Sequence, residues 1–292
     1  MKLLENKVIV WFCVAVYTAS WALQIIALNL YGNLEDPAAT PWLLGAMATP
    51  ALGVVVLLLF HRPTRSVILW RPRLNLLFLV PISVALPILI AFGTVFVIIL
   101  YGWGDHAWFI FSFESVQVVR GPWLLGKGSE PWSFFFCNVY LTGAAFALMS
   151  AIPAVGEELG WRGLLQQQLV ERFGVSRGVF VLGLIWSFWH FPALLSGYNF
   201  PESPGLGAFI LSPVELIAIS YFLAWLTIKA NSFWPAAIAH GAGNSIQEGV
   251  ISHLNLSVPR LYQNMATILI TALFGLLFYF LIFKRDENRR SI

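Results

Sequence analysis

Long apolar runs separated by short polar connections make up most of this chain. Crossing a bilayer core of about 30 Å takes roughly 20 apolar residues in a helix, because every backbone polar group must be satisfied within the segment. Runs of this length predict transmembrane helices over residues 8–30, 41–60, 76–101, 134–160, 178–196, 207–228, 233–251 and 262–283. We therefore expect an all-α polytopic membrane protein with about eight transmembrane helices.

The composition points in the same direction. Hydrophobic residues make up 59% of the chain and charged residues 11%, whereas soluble domains carry roughly 45–50% and about 25%. The net charge is only +3, and the basic residues lie between apolar runs instead of forming one patch. We therefore expect the lipid bilayer as a partner and do not expect a nucleic acid.

The basic residues also predict the orientation of the helices. When both termini are placed on one side of the membrane, only Arg120, Lys127 and Arg260 fall on the other side, so that 14 of the 17 lysines and arginines share the side of the termini. Because basic residues are enriched on the cytoplasmic side, both termini are expected to be cytoplasmic.

Two connections have a composition of their own. Residues 102–133 form the longest one, which is rich in aromatic residues on the non-cytoplasmic side, and most of these rings are expected to be interfacial anchors. Residues 163–173 alternate leucines with glutamines and charges, which predicts a short helix lying in the cytoplasmic interface.

A few ionisable and amide side chains fall inside the predicted spans, where each costs a few kcal/mol and indicates a functional site unless a structural partner explains it. Most of them cluster, with Glu157, Glu158 and Arg162 at the cytoplasmic end of the fourth span, His190 within the fifth, and His240 with Asn244 within the seventh. Counted from the cytoplasmic end, the last three lie roughly 10–18 Å deep. We expect this cluster to converge on a cavity open toward the cytoplasm. Glu215 and Glu248 are the other intramembrane acids.

The spacing within each helix favours particular roles. Glu158 and Arg162 are four residues apart and can form an ion pair on one helical face, which leaves Glu157 pointing about 100° away. A glutamate and a histidine from different helices can activate a water together. His240 and Asn244 also share a face, and they supply donors for the oxyanion of a tetrahedral intermediate.

Structural explanations stay open for the same residues. A Glu-Arg pair near a membrane surface is often a helix-end contact without chemistry, and an intramembrane histidine or asparagine often joins helices by hydrogen bonds. Glu215 follows Pro213 and suits a backbone kink. Glu248 is four residues beyond Asn244 and could support the site.

Three short motifs resemble one known family. The sequence EELGWR at 157–162 resembles the EExxxR motif of the CAAX-protease and bacteriocin-processing (CPBP or ABI) intramembrane proteases. WSFWH at 186–190 resembles the second motif, FxxxH, with Trp186 in place of phenylalanine, and HGAGN at 240–244 resembles the third, HxxxN. On this resemblance, residues 132–252 are the catalytic core, 1–131 hold the first three helices with the aromatic connection, and 253–292 hold the last helix and a basic tail.

The resemblance implies an intramembrane endopeptidase that cleaves a membrane-associated protein or peptide. Water would be activated between Glu157 and His190, and His240 with Asn244 would form the oxyanion site. Glu158 and Arg162 would support Glu157, completing six site residues. No cofactor is favoured because an HExxH pair is absent from the sequence, although the histidines and carboxylates leave a divalent metal such as zinc open.

The resemblance and the topology favour a multi-pass protein of a prokaryotic plasma membrane. A non-catalytic membrane scaffold or bacteriocin-immunity protein is the main alternative. A transporter is less favoured, because the polar cluster has no counterpart in the first three spans and the chain shows no inverted repeat.

Overall fold

The computed structural model describes residues 3–73 and 76–290, with side chains in the last helix described through Ile282. The helices are α1 Asn6–Tyr31, α2 Thr40–Phe60, α3 Leu76–Leu100, α4 Trp132–Gly160, α5 Gln166–Phe173, α6 Val175–Trp189, α7 Phe191–Leu195, α8 Pro204–Leu206, α9 Ser212–Ala230, α10 Trp234–Gly249 and α11 Arg260–Arg290. The strands are β1 Gly104–His106, β2 Phe109–Phe111, β3 Ser115–Val118, β4 Gly128–Pro131 and β5 Leu254–Leu256. Single π-helical segments at Trp161–Leu165 and Gly207–Leu211 precede α5 and α9, and short 3-10 turns lie at Pro37–Ala39, Arg62–Ser66 and Ile251–His253.

The prediction of an all-α polytopic membrane protein is confirmed. Within the described ranges, six helical segments are long and apolar enough to cross a membrane. These segments are Asn6–Tyr31, Pro37–Phe60, Leu76–Leu100, Trp132–Phe173, Pro204–Ala230 and Arg260–Ile282. The predicted fifth and seventh spans are also helices, α6 and α10, but they have 15 and 16 residues. At 1.5 Å per residue they reach about 22–24 Å, so the count of eight spans stays a prediction, as does the cytoplasmic placement of the termini.

Helix α4 packs against α10 on one side and α2 on another. Glycines permit this close approach. A Cβ built on Gly241 of α10 would lie 2.4 Å from the backbone nitrogen of Ala151 in α4, and one built on Gly156 of α4 would lie 2.7 Å from the backbone oxygen of Met47 in α2. These contacts hold the polar end of α4 at a fixed depth between its neighbours.

The aromatic connection contains short strands that the hydrophobic pattern did not predict. Strands β2, β3 and β4 form an antiparallel sheet, and β1 pairs with β5, which follows α10. Rings from this connection pack on the first turn of α4, with Phe109 and Phe135 at a centroid distance of 5.1 Å and Phe111 stacked on Trp132 at 5.8 Å. Their role as interfacial anchors stays a prediction.

The amphipathic segment after α4 is helical, as predicted, and continues α4 through the π-helical turn. Gln166 and Gln168 are buried. Gln168 Oε1 accepts hydrogen bonds from the backbone of Leu4 at 2.8 Å and from Arg172 at 3.1 Å, so that α5 holds the start of the chain. The position of α5 relative to the bilayer plane stays a prediction.

Candidate active site

The end of α4 carries a buried ion pair. Glu158 Oε1 accepts a hydrogen bond from Arg162 Nη1 at 2.9 Å, and both side chains are fully buried. This is the pair that the spacing of four residues predicts. Arg162 lies in a π-helical turn, a local widening that is frequent at functional sites. Its Nη2 also donates to Ser220 Oγ of α9 at 2.9 Å, so the pair connects two helices.

His240 of α10 joins the same carboxylate. Its Nδ1 lies 2.9 Å from Glu158 Oε1. An ionised carboxylate only accepts, so Nδ1 carries the proton in this contact and Nε2 is left for another partner. The bond connects α10 to α4 at the depth of Glu158, and the sequence could not predict which carboxylate His240 would meet.

Trp186 of α6 contacts four of the predicted site residues, three of them, Glu157, Arg162 and His240, through its side chain. Its indole Nε1 donates a hydrogen bond to Glu157 Oε2 at 2.7 Å. Its ring lies 4.3 Å from the Arg162 guanidinium carbon and 5.3 Å, edge to face, from the His240 ring. Sequence reasoning treated this residue only as a packing surface and missed the hydrogen bond. The available signal was the replacement of phenylalanine by the one aromatic residue with an N–H donor.

His190 lies where the chain passes from α6 to α7. Its Nδ1 is 2.9 Å from the backbone oxygen of Trp186, an acceptor only, so Nδ1 donates and the neutral ring has a free lone pair on Nε2. Within the described part of the chain, no direct hydrogen bond joins His190 to Glu157. Trp186 connects the two, because its side chain binds Glu157 and its carbonyl binds His190.

The N-terminal helix supports this junction. Gln24 of α1 donates to the backbone oxygen of Trp189 at 3.3 Å and accepts from the backbone nitrogen of Ala193 at 3.1 Å. Trp21 donates to the same Trp189 oxygen at 3.1 Å. These bonds satisfy backbone groups on both sides of His190, and the sequence pattern offered no sign of them.

Asn244 lies outside the hydrogen-bonded group of Glu157, Glu158 and His240 among the described residues. It is exposed and lines a cavity of about 530 Å³ that Glu248 also lines. Neither side chain makes a hydrogen bond to Glu157, Glu158 or His240 among the described residues. Glu215 of α9 likewise has no hydrogen bond or ion pair to this cluster in the described part of the chain.

The structure therefore brings together four of the six predicted site residues, which are Glu157, Glu158, Arg162 and His240. Trp186 belongs to the same contact group, His190 adjoins it through the Trp186 carbonyl, and Asn244 borders it in the cavity. Within the described ranges, no group of three or more His, Cys, Asp and Glu side chains is arranged to hold a metal ion. The arrangement supplies a buried carboxylate, a histidine acceptor and nearby donors, which are the groups that activation of a water requires.

The segment that carries these residues is similar to known proteins. Residues 138–246 match the family model described as Type II CAAX prenyl endopeptidase Rce1-like. The CAAX prenyl protease 2 of Methanococcus maripaludis is 32% identical over 104 residues, which cover 33% of this chain and 37% of that protein. The match thus spans little more than a third of this relative. Both comparisons confirm the resemblance to the CAAX protease family that the three motifs indicate.

Proposed function

From the similarity of residues 138–246 to the Rce1-like CAAX prenyl endopeptidases, we propose that this multi-pass membrane protein is an intramembrane endopeptidase. Its substrate is a membrane-associated protein or peptide. The observation that carries the proposal is the buried carboxylate of Glu157, whose Oε2 is held by Trp186 at 2.7 Å. A carboxylate held by one oxygen keeps the other available as a general base.

In the proposed reaction, Glu157 Oε1 and His190 Nε2 accept the two hydrogens of one water. The water oxygen attacks the carbonyl carbon of the scissile bond, and Glu157 takes the proton. The oxyanion that forms accepts hydrogen bonds from the Asn244 amide and from His240 Nε2, which requires His240 to carry a proton on both ring nitrogens while Nδ1 donates to Glu158. The C–N bond then breaks as Glu157 returns the proton to the departing nitrogen, which leaves a carboxyl and an amine product.

Glu158 and Arg162 support this centre without touching the substrate. Arg162 neutralises Glu158, which in turn holds His240 through Nδ1 at 2.9 Å. Arg162 also lies over the Trp186 ring at 4.3 Å. A cation over an indole face is attracted to it, and this contact keeps the ring in the orientation in which Nε1 reaches Glu157.

We propose that the reaction is glutamate-dependent and needs no metal, and that the site opens toward the cytoplasm of a prokaryotic plasma membrane. The arrangement of the side chains supports the first point, because within the described residues no group of three or more His, Cys, Asp and Glu side chains is placed as a set of metal ligands.

The test is cleavage of a library of membrane-proximal peptide reporters by the purified full-length protein in detergent. Wild type is compared with Glu157→Gln, His190→Ala and the control Glu215→Gln, which changes another membrane-embedded glutamate outside the cluster. Cleavage by wild type and the control, loss in the other two variants, and no effect of a strong chelator are expected.

The other results decide between the alternatives. Cleavage that the chelator abolishes would establish a metal-dependent enzyme. No cleavage by any form, together with a wild-type cellular phenotype for Glu157→Gln, would overturn the protease and favour a membrane scaffold or immunity protein.

A further inference from the structure

The cavity next to Asn244 is long and lies between three helices. Its lining on α4 runs from Val139 to Pro153, a rise of roughly 21 Å at 1.5 Å per residue. Leu44 and Met47 of α2 and the C-terminal half of α10 form the other sides. An extended peptide advances about 3.3 Å per residue, so the cavity has the length of roughly six residues.

One end of the cavity reaches the proposed catalytic centre. Asn244 lines it and lies one helical turn beyond His240, while Pro153 lines it and lies one turn before Glu157. A substrate whose scissile carbonyl is bound by Asn244 therefore extends into the cavity. The Asn244 side chain has no hydrogen-bond partner in the described part of the chain, and Asn244 lines the cavity, so its amide is available to a peptide group.

The other end is closed by residues outside the segment that matches the family. Trp108 and Trp123, from the aromatic connection, and His253, after α10, line it. The Trp108 and His253 rings are 3.7 Å apart, and Trp108 meets Trp123 edge to face at 6.1 Å. In this wall, Trp108 and Trp123 lie between the short strands of the aromatic connection, and His253 ends the 3-10 turn after α10.

Hydrogen bonds hold this wall against both helices that border the cavity. On α4, Asn138 Oδ1 accepts from the backbone of Leu125 and Thr142 Oγ1 accepts from the backbone of Leu124, both at 3.0 Å. At the end of α10, His106 Nε2 donates to the Val250 carbonyl at 2.9 Å. The wall is therefore anchored on each side, as a binding surface of defined shape requires.

The chemistry of the lining is apolar with one acidic group. Aliphatic and aromatic side chains predominate, Glu248 supplies a carboxylate, and no lysine or arginine among the described residues lines the cavity. A volume of about 530 Å³ falls within the roughly 300–1,000 Å³ of ligand pockets. Such a cavity accepts uncharged apolar side chains and repels acidic ones.

We propose that this cavity is the substrate subsite that binds an uncharged, apolar peptide segment next to the scissile bond, with Trp108, Trp123 and Phe146 determining its specificity. The assignment of this cavity as a substrate subsite rests on the proposed endopeptidase function. A peptide is favoured over a lipid tail because Asn244, Ser150 and Glu248 place polar groups along the cavity, and a backbone needs such partners whereas an alkyl chain does not.

Binding is tested without catalysis. The full-length Glu157→Gln variant is irradiated with a short uncharged apolar peptide that carries p-benzoylphenylalanine, and the cross-linked residues are mapped by mass spectrometry. Cross-links to Trp108, Trp123 or Phe146 are expected, and a matched peptide with aspartate beside the photoprobe is expected to lose most of them. Cross-links only elsewhere, or labelling of the cavity by a photoactivatable fatty acid but not by the peptide, would overturn the subsite.

Specificity is tested with Phe146→Ala, which widens the cavity, and Met149→Ala as the control, on the same helix but 65% exposed and outside the lining. Phe146→Ala is expected to change the preference between large and small apolar residues at one substrate position by about tenfold, and Met149→Ala to leave it unchanged. An unchanged preference in Phe146→Ala would overturn the subsite but not the protease. Peptide cross-links in the cavity without cleavage by wild type would overturn the protease but not the subsite.

Discussion

The indole nitrogen of Trp186 donates a 2.7 Å hydrogen bond to Oε2 of Glu157, within the protein interior. Phenylalanine, which the family motif has at this position, can fill the same space but cannot donate this bond. The replacement therefore adds an interaction with the carboxylate that the proposed reaction uses as a base. Trp186 is a positioning residue in this scheme, because it acts through Glu157 and does not itself meet the reacting atoms.

Replacing Trp186 by phenylalanine is expected to lower kcat about ten- to a hundredfold and to leave KM within about twofold. A hydrogen bond to a charged group contributes roughly 1.5–3 kcal/mol, and each 1.36 kcal/mol is a factor of about ten in rate. The measurement is steady-state cleavage of one reporter peptide in detergent.

Two controls separate the hydrogen bond from packing. Substituting β-(3-benzothienyl)alanine, which has sulfur in place of the indole N–H, is expected to reproduce the loss in kcat while keeping the shape of the ring. Trp189→Phe changes another buried tryptophan of the same helix, whose Nε1 has no partner in the described part of the chain, and is expected to retain activity. Full activity of the benzothienyl variant would contradict the role of Trp186.

Replacing Arg162 by methionine is expected to destabilise the protein strongly. The change leaves the fully buried Glu158 carboxylate without its cation, which costs about 3–5 kcal/mol for a buried pair. The double variant Glu158→Gln with Arg162→Met removes both charges and is expected to recover more than half of the loss. The measurement is the thermal unfolding midpoint in detergent.

The control for the buried pair is Lys7→Met. Lys7 lies 2.7 Å from Glu5, but both side chains are largely exposed, and exposed pairs contribute little. No measurable change in midpoint is expected. A midpoint for Arg162→Met as high as that of Lys7→Met would show that the ion pair at the end of α4 has no role in stability.

The two glycines of the HGAGN motif are expected to respond in opposite directions to alanine. A Cβ on Gly241 would lie 2.4 Å from the Ala151 backbone nitrogen, so Gly241→Ala must separate α10 from α4. A loss of about 1–3 kcal/mol is expected, as for other overpacked sites. A Cβ built on Gly243 has no atom of another element within 4 Å among the described residues. Gly243→Ala is therefore expected to be neutral or stabilising, because alanine favours the helix more than glycine does. Equal unfolding midpoints for both variants would contradict this close contact.

Acid is expected to weaken the contact between the aromatic connection and α10. Burial lowers the pKa of His106 to about 4, against an ordinary value of about 6.5 in the unfolded chain. The neutral ring accepts the Trp108 backbone N–H at Nδ1 at 3.0 Å and donates from Nε2 to Val250. Its contribution to stability is therefore complete above about pH 6.5 and is lost as the pH falls through about 4.

The measurement compares the unfolding midpoints of wild type and His106→Gln between pH 7 and pH 4. Wild type is expected to be the more stable at pH 7, and the difference is expected to shrink toward pH 4. A difference that stays constant over this range would show that His106 does not titrate with folding.

The local features of the fold could be predicted from the chain alone. Six of the expected helices are long apolar segments, because a run of about 20 apolar residues has no other stable form in a bilayer. The ion pair of Glu158 and Arg162 was also predictable, since a spacing of four residues places both side chains on one helical face whatever surrounds them.

Contacts between helices depended on the tertiary structure. His240 reaches Glu158 across 82 positions of the chain and Trp186 reaches Glu157 across 29. In a membrane the interfaces between helices and the surrounding lipid are equally apolar. The hydrophobic pattern therefore does not identify which face of a helix packs against another helix. The hydrophobic pattern did not predict the short strands for a related reason. Strand β1 pairs with β5, which lies far along the sequence, and Asp105 is opposite Asn255 in this pairing.

The sequence by itself thus determined the membrane helices, the pairing within α4 and the family motifs, because all of these follow from local spacing and hydrophobicity. Only the tertiary structure decided that Trp186 holds Glu157, that Asn244 lines a cavity, and that residues of the aromatic connection line the same cavity. The physical reason is that these relationships depend on which distant helix faces meet, and close packing at glycines such as Gly241 selects them.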